Sequence, residues 1–114
     1  MGILPDLFGR PVNLQKTAII SAMEKTRAHV IFRGRVQGVN FRAFTARVAG
    51  SLGLDGWVKN LPDGSVEAVF EGAEETVREA IKRCRTGPSF ADVSDAEVKW
   101  SPAQGGFGGF SIRF

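Results

Sequence analysis

The stretch Gly34-Arg35-Val36-Gln37-Gly38-Val39-Asn40-Phe41-Arg42 joins the end of a predicted strand to the first turn of a predicted helix. Such a loop directs backbone N–H groups at one point and adds the positive end of a helix dipole. Arg42 lies in that first turn, where a cation is ordinarily unfavourable by roughly 0.3–1 kcal/mol. A bound anion would reverse this penalty, and Gly38 would let the backbone approach the anion closely. The stretch predicts either a phosphate cradle with Arg42 at its rim or a plain strand-to-helix turn with Arg42 on the surface, and spacing alone does not separate the two.

Apolar periodicity on both sides of this stretch defines the neighbouring elements. Alternating apolar residues from Val30 to Val36 predict a strand. The following helix has an apolar face formed by Phe41, Phe44, Val48 and Leu52. Asn40 is predicted to be its N-cap and Gly53 its C-terminal stop.

The remaining pattern completes a small α+β fold. Strands are predicted at 55–60, 65–71, 93–100 and 107–114, with a second helix at 73–85. The turn Leu61-Pro62-Asp63-Gly64 has hairpin chemistry. The order β-α-β-β-α-β, with a short last strand, predicts a ferredoxin-like split β-α-β sandwich with both helices on one face of an antiparallel sheet. Trp57 and Trp100 are assigned to the sheet and core, and the last strand is expected to turn Phe110, Ile112 and Phe114 inward.

Three segments together carry a family resemblance. Gly34 to Arg42, followed by Gly56-Trp57-Val58-Lys59-Asn60 and Asp63-Gly64-Ser65-Val66-Glu67, resembles the paired signature of acylphosphatases. The resemblance covers 28–114 and leaves out the N-terminal segment. It implies hydrolysis of a carboxylic acyl phosphate to carboxylate and inorganic phosphate.

The resemblance also implies roles for individual residues. Arg42 would bind the phosphate and Asn60 would orient the attacking water. Local sequence alone favours Asn60 as an ordinary turn residue whose amide caps the backbone. The phosphate-binding loop would comprise Val36, Gln37, Gly38, Val39, Asn40, Phe41 and Arg42. Thr45 follows Arg42 by three positions, so its hydroxyl is expected to bond either the loop or its own helix backbone.

Few residues in the sequence could act as a nucleophile, a general base or a metal ligand, and this restricts the reactions that the protein could catalyse. His29 is the only histidine and is expected to be structural or on the surface, while Cys84 falls on the apolar face of the second helix and is expected in the core. The carboxylates Glu67, Glu71, Glu74, Glu75 and Glu79 are expected mostly on the hairpin or helix surface. No metal-ligand spacing and no nucleotide-binding glycine loop is present. The sequence therefore predicts no metal and no cofactor, which suits a reaction that needs only positioning and charge stabilisation.

Length and composition limit the classes of protein to which this chain can belong. A chain of 114 residues with 43% hydrophobic residues supports one small domain, and a net charge of +3 is too small to indicate nucleic acid. A single cysteine and the lack of a signal or membrane segment predict a reducing cytoplasm and no membrane partner. The expected partners are a small acyl phosphate and inorganic phosphate, bound by a monomer.

Two other functions share this element order. An RNA-recognition domain would need exposed aromatics on the central strands, but 65–71 offers only Phe70 beside two acids. A non-catalytic acylphosphatase-like module is less favoured because Arg42 and Asn60 are both retained.

Residues 1–27 differ from the rest of the chain. They contain prolines and glycines without periodicity, apart from a weak apolar face after Leu14. They are predicted to be an N-terminal extension, flexible or forming a short helix, with Met23 as an alternative start; 28–114 is the predicted domain.

Overall fold

A computed structural model describes residues 24–114. Met23 and the predicted extension up to that residue lie outside this range. Residues 25–27, which were assigned to the extension, belong to the first strand.

Five strands and two helices follow one another in the predicted order. They are β1 (Lys25–Arg35), α1 (Phe41–Ser51), β2 (Asp55–Asn60), β3 (Val66–Ala73), α2 (Glu74–Thr86), β4 (Asp92–Pro102) and β5 (Phe110–Arg113). The sheet order is β4-β1-β3-β2-β5. The ferredoxin-like fold is confirmed. The sheet as a whole is mixed, because β5 joins β2 in parallel while the other pairings are antiparallel.

The register of the sheet brings three strand ends together. Val66 of β3 pairs with Phe32 of β1 on one side and with Asn60 of β2 on the other. On the far side of β2, Lys59 pairs with Arg113 near the end of β5. Because β1, β2 and β5 are mutually parallel, the loop after β1, the end of β2 and the C-terminal residues meet at one end of the sheet.

The core lies between the sheet and the two helices. Phe32 of β1 and Phe41 of α1 are at most 1% exposed and meet edge to face, with ring centroids 5.2 Å apart. The buried face of α2 is formed by Val77, Ala80, Ile81 and Cys84, as predicted. The ion pairs Glu74–Arg78 and Glu79–Arg83 lie on its outer face.

Three aromatic residues are less buried than the strand pattern predicted. Trp100 is 37% exposed on the edge strand β4, where its ring packs under the Arg78 guanidinium. Trp57 is half-buried on the sheet face away from the helices and carries Arg113 on its ring. Phe114 is fully exposed because β5 ends at Arg113, so the alternation no longer holds its ring against the core. Phe110 and Ile112 do pack against the core.

The ends of α1 combine one expected feature and one unexpected feature. Gly53 follows the helix in a left-handed conformation, with φ of 69°, as a C-terminal stop requires. Asn40 occupies the N-cap position, but it is itself left-handed and its side chain makes no capping hydrogen bond. No helix in the described range is long and apolar enough to cross a bilayer.

Glu71 is buried, contrary to the expectation that its carboxylate lies on the surface. It is only 4% exposed and accepts hydrogen bonds from the backbone N–H groups of Gln104 and Gly105, at 2.9 and 3.0 Å, and from Arg27 at 3.1 Å. Burial by itself raises the pKa of Glu71, but the two loop amides and Arg27 outweigh that effect and hold the pKa below its ordinary value. Glu71 thus fastens the glycine-rich loop between β4 and β5 to the sheet.

Replacing Glu71 with glutamine should lower the free energy of unfolding at neutral pH by about 1–3 kcal/mol, since hydrogen bonds to a charged group are lost. Because the pKa of Glu71 is lower in the folded protein than in the unfolded chain, its contribution is present above the ordinary glutamate pKa. It is lost as the pH falls through the lowered value. Urea unfolding at neutral and acid pH measures this directly.

The matched control for that experiment is Glu24→Gln, which removes an exposed carboxylate directly before β1. The difference between wild type and Glu71→Gln should shrink at acid pH, while Glu24→Gln should behave as wild type throughout. A Glu71→Gln variant with unchanged stability at neutral pH would show that the loop is held by other contacts.

Candidate active site

The converging strand ends enclose a cavity of about 350 Å³ that is open on one side. It is lined by Val36, Gly38, Asn40, Phe41, Arg42, Ala43, Asn60, Ile112 and Phe114. The sequence-predicted loop and Asn60 therefore border one cavity, although they are separated in the chain by the whole of α1. The pairing of both β1 and β2 with Val66 is what brings them together.

The loop before α1 has the backbone shape of an anion nest. Gly38 and Asn40 both have left-handed φ values, of 74° and 67°, and each borders the cavity. Left-handed residues alternating with ordinary ones turn successive N–H groups toward one concavity. Within residues 24–114, the N–H groups from Gly38 to Ala43 donate to no backbone carbonyl. The loop thus offers several unused donors at the positive end of the α1 dipole.

Arg42 lies at the rim of this nest and is half-buried. One guanidinium nitrogen donates to the Arg113 carbonyl at 3.1 Å, and the guanidinium carbon lies 4.7 Å from the centre of the Phe114 ring. These contacts hold the side chain at the cavity, and most of its five N–H donors form no hydrogen bond within residues 24–114. A planar guanidinium in this position is suited to bidentate contact with phosphate oxygens.

Asn60 is the last residue of β2 and faces the cavity. Its Oδ1 atom is buried and has no hydrogen-bond partner within residues 24–114. An unpaired buried acceptor costs about 1–3 kcal/mol and normally has a functional explanation. The alternative assignment of Asn60 as a turn residue predicts that its amide caps the backbone, but its Oδ1 accepts no hydrogen bond from the described residues.

Two predicted loop residues do not border the cavity. The Gln37 side chain turns away from it and donates to the carbonyls of Leu61 and Ser65, each at 2.8 Å. Val39 packs against the hydrophobic core. Both remain part of the loop backbone.

Thr45 lies elsewhere than the sequence suggested. It is fully buried between α1 and α2, where its hydroxyl oxygen accepts a weak hydrogen bond from Cys84 Sγ at 3.6 Å. Neither of the expected contacts, with the loop or with its own helix backbone, is the one it makes. Burial raises the pKa of the Cys84 thiol to about 11, the bond to Thr45 opposing this only in part. Cys84 is therefore a core residue, as predicted, and its thiol stays protonated at neutral pH.

His29 also lies away from the cavity. Its Nε2 is 2.7 Å from Glu67 Oε2 on the sheet face opposite the helices. Nothing within residues 24–114 groups three or more histidine, cysteine or carboxylate side chains as a metal would require.

Sequence reasoning missed three residues that line the cavity. Ala43 extends the wall by one position beyond the predicted loop, and Ile112 and Phe114 contribute an apolar side. The parallel pairing of β5 with β2 places the last two there, and no local pattern in the sequence specifies that pairing.

The electrostatics of the cavity are simple. Among residues 24–114, Arg42 is the only one that lines the cavity with an ionisable side chain. This part of the chain therefore favours an anion in the cavity and places no side chain there that can take up a proton at neutral pH. An amide, a guanidinium and a set of backbone donors can bind a phosphoryl group and a water molecule. Such a site can stabilise charge and orient reactants, but it supplies no general base.

Known proteins are similar to this chain in sequence and in fold. A family model described as acylphosphatase matches residues 28–112. An acylphosphatase of Roseiflexus sp. (strain RS-1) is 50% identical over 90 residues, covering 79% of this chain and 97% of the relative. One from Pelotomaculum thermopropionicum is 47% identical over 92 residues, covering 81% of this chain and the whole of the relative.

A solved structure agrees with these sequence matches. The crystal structure of acylphosphatase from Bacillus subtilis superposes with a TM-score of 0.76 at 38% identity, covering 78% of this chain and 99% of that one. The family model spans most of the chain, and the relatives are matched over nearly their whole length. By sequence and by fold, the chain belongs to the acylphosphatase family.

Proposed function

We propose that this protein hydrolyses the carboxyl–phosphate bond of acyl phosphates to carboxylate and inorganic phosphate without a metal ion. The observation that carries the proposal is the meeting of three groups in one cavity. These are the open N–H groups of the loop, the guanidinium of Arg42 and the unpaired, buried Oδ1 of Asn60. The acylphosphatases to which the chain is similar support the choice of substrate class.

The phosphate half of the substrate would bind in the loop 36–42. Backbone N–H groups and the α1 dipole would hold its oxygens, and Arg42 would contact two of them. In phosphoryl transfer, charge spreads over the oxygens of the transferred group, so the same donors would stabilise the transition state. Preorganised donors of this kind are commonly the largest single contribution to catalysis.

The attacking water would be held by Asn60. An amide both accepts and donates hydrogen bonds, so its side chain can fix the position and direction of a water molecule. The water oxygen would form a bond to phosphorus as the bond from phosphorus to the acyl oxygen breaks, and the carboxylate would leave with that electron pair. The water proton would pass to a phosphate oxygen of the substrate, which makes a general base unnecessary.

We propose that the enzyme is a monomer in the cytoplasm. One chain supplies the loop, Arg42 and Asn60, so the proposed site needs no second copy, and the single cysteine is buried and free. A reducing compartment is the ordinary location of such a protein. We propose that the part of the chain before β1 is an extension that the reaction does not need, since every residue assigned to the reaction lies within 36–60.

Turnover in the presence of a chelator tests the proposal. Purified wild-type protein should hydrolyse acetyl phosphate in EDTA at the rate seen without EDTA, because every group assigned to the reaction belongs to the chain. A folded protein with no turnover above the blank would contradict the proposed function. Activity that EDTA removes and a divalent cation restores would contradict its metal independence.

A further inference from the structure

We propose that Gln37 is a positioning residue, which sets the place of Asn60 relative to the phosphate loop. This inference rests on the proposed function, because it concerns how the two halves of that site are held together. Gln37 belongs to the loop by sequence, yet its side chain is not directed into the cavity. It is directed at the hairpin that follows Asn60.

The contacts of Gln37 bridge two parts of the chain. Its side-chain nitrogen donates to the carbonyl of Leu61 and to the carbonyl of Ser65, each at 2.8 Å. Leu61 is the residue directly after Asn60, and its own N–H donates to the Ser65 carbonyl at 2.9 Å. Both N–H groups of the Gln37 amide therefore donate hydrogen bonds to the backbone at the base of the hairpin between β2 and β3.

The chemistry of these partners fixes the orientation of the amide. Both acceptors are backbone carbonyls, so only the nitrogen side of the Gln37 amide can face them. A carboxylate of the same size would turn oxygens toward two carbonyls and would be repelled. Glutamine is thus suited to this position, whereas glutamate and apolar side chains of the same length are not.

The two hydrogen bonds of Gln37, called the tether here, hold the chain just beyond the point where the β2–β3 pairing ends. The pairing of β2 with β3 ends at Asn60 and Val66, and the turn beyond it is exposed at Pro62, Asp63 and Gly64. The loop 36–42 is attached to the same region from the other side by the pairing of Phe32 with Val66. Gln37 connects these two surfaces directly, so its loss would let Asn60 move relative to a bound phosphate.

A positioning role predicts a particular pattern of effects. In Gln37→Met, the loop donors and Arg42 remain, so the dissociation constant for inorganic phosphate should stay within about 3-fold of wild type, a change smaller than one charge-assisted bond. The turnover number should fall by about 10²-fold, the cost typical of reacting groups displaced by an ångström. Gln37→Glu should show the same loss of turnover. Gln104→Met, which alters an exposed glutamine in the loop after β4, should match wild type in both measurements.

A spectroscopic readout separates this inference from the proposed function. The side-chain amide resonances of Asn60, followed by NMR in phosphate-saturated protein, should shift or broaden in Gln37→Met and stay unchanged in Gln104→Met. These signals report the position of Asn60 whether or not the wild type turns over acyl phosphates. Absence of turnover in the wild type would therefore contradict the proposed function and leave the NMR comparison to decide on the tether.

Two results would overturn the inference. One is a Gln37→Met variant with wild-type turnover and unshifted Asn60 resonances. The other is a loss of phosphate affinity in parallel with turnover, at unchanged Asn60 resonances, which would place Gln37 in phosphate binding and not in the positioning of Asn60.

Discussion

Replacing Arg42 with alanine should lower kcat/KM for acetyl phosphate by about 10³-fold or more and should weaken the binding of inorganic phosphate. In the described part of the chain, Arg42 is the only ionisable side chain that lines the cavity, so no other side chain there can take over its charge. A guanidinium that stabilises the charge of a transferred phosphoryl group is commonly worth 10³–10⁵ in rate, and charge-assisted bonds of this kind also hold the ground state. Steady-state kinetics together with phosphate titration measure both losses.

Two further variants locate the effect in the geometry of Arg42. Arg42→Lys keeps the charge but loses the planar fork, so its activity should fall between wild type and Arg42→Ala. Arg47→Ala removes an exposed arginine from the same helix and should leave activity unchanged. Equal losses in Arg42→Ala and Arg47→Ala would mean that general positive charge, and not the contact at the cavity, attracts the substrate.

Replacing Asn60 with alanine should lower kcat by about 10²-fold or more while leaving phosphate affinity close to wild type. The proposed phosphate donors lie in the loop and on Arg42, so the ground state should keep its contacts. Only the group proposed to orient the water is removed. The variant should also be no less stable than wild type in urea, because an unpaired buried acceptor is removed with the side chain.

The contrast between the two variants is the informative part. Arg42→Ala should lose both binding and turnover, whereas Asn60→Ala should lose turnover alone. Asn60→Asp keeps the size of the side chain but replaces its donor by a negative charge, so it should be no more active than Asn60→Ala. If Asn60→Ala instead lost phosphate affinity with unchanged kcat, Asn60 would be a phosphate ligand and not the group that orients water.

The order of elements could be predicted from sequence because each depends on local periodicity. The helical face of Val77, Ala80, Ile81 and Cys84 and the alternation in β1 are both properties of consecutive residues. The glycine loop and Arg42 are likewise contiguous in the chain. The resemblance to a family supplied the link from this loop to Asn60, and the common pairing with Val66 is its physical cause.

The features that sequence reasoning missed depend on contacts between distant parts of the chain. Glu71 alternates like a surface residue, and only the crossing of the glycine-rich loop buries it. Gln37 looks like one more loop residue until the hairpin is placed beside it. Thr45 follows Arg42 at helical spacing, but the packing of α2 against α1 brings its hydroxyl to Cys84. In each case the partner lies more than 20 residues away, beyond the reach of a periodic pattern.

In the proposed reaction, the cavity activates phosphorus toward a water molecule held by Asn60. Hydrolysis of acetyl phosphate in EDTA, in water enriched in oxygen-18, tests it most directly, because the label records which bond forms. Attack at phosphorus predicts that the heavy oxygen appears in inorganic phosphate and that the acetate stays unlabelled. Label in the acetate would show attack at the carbonyl carbon, and it would contradict the assignment of the loop, Arg42 and Asn60 to phosphoryl transfer.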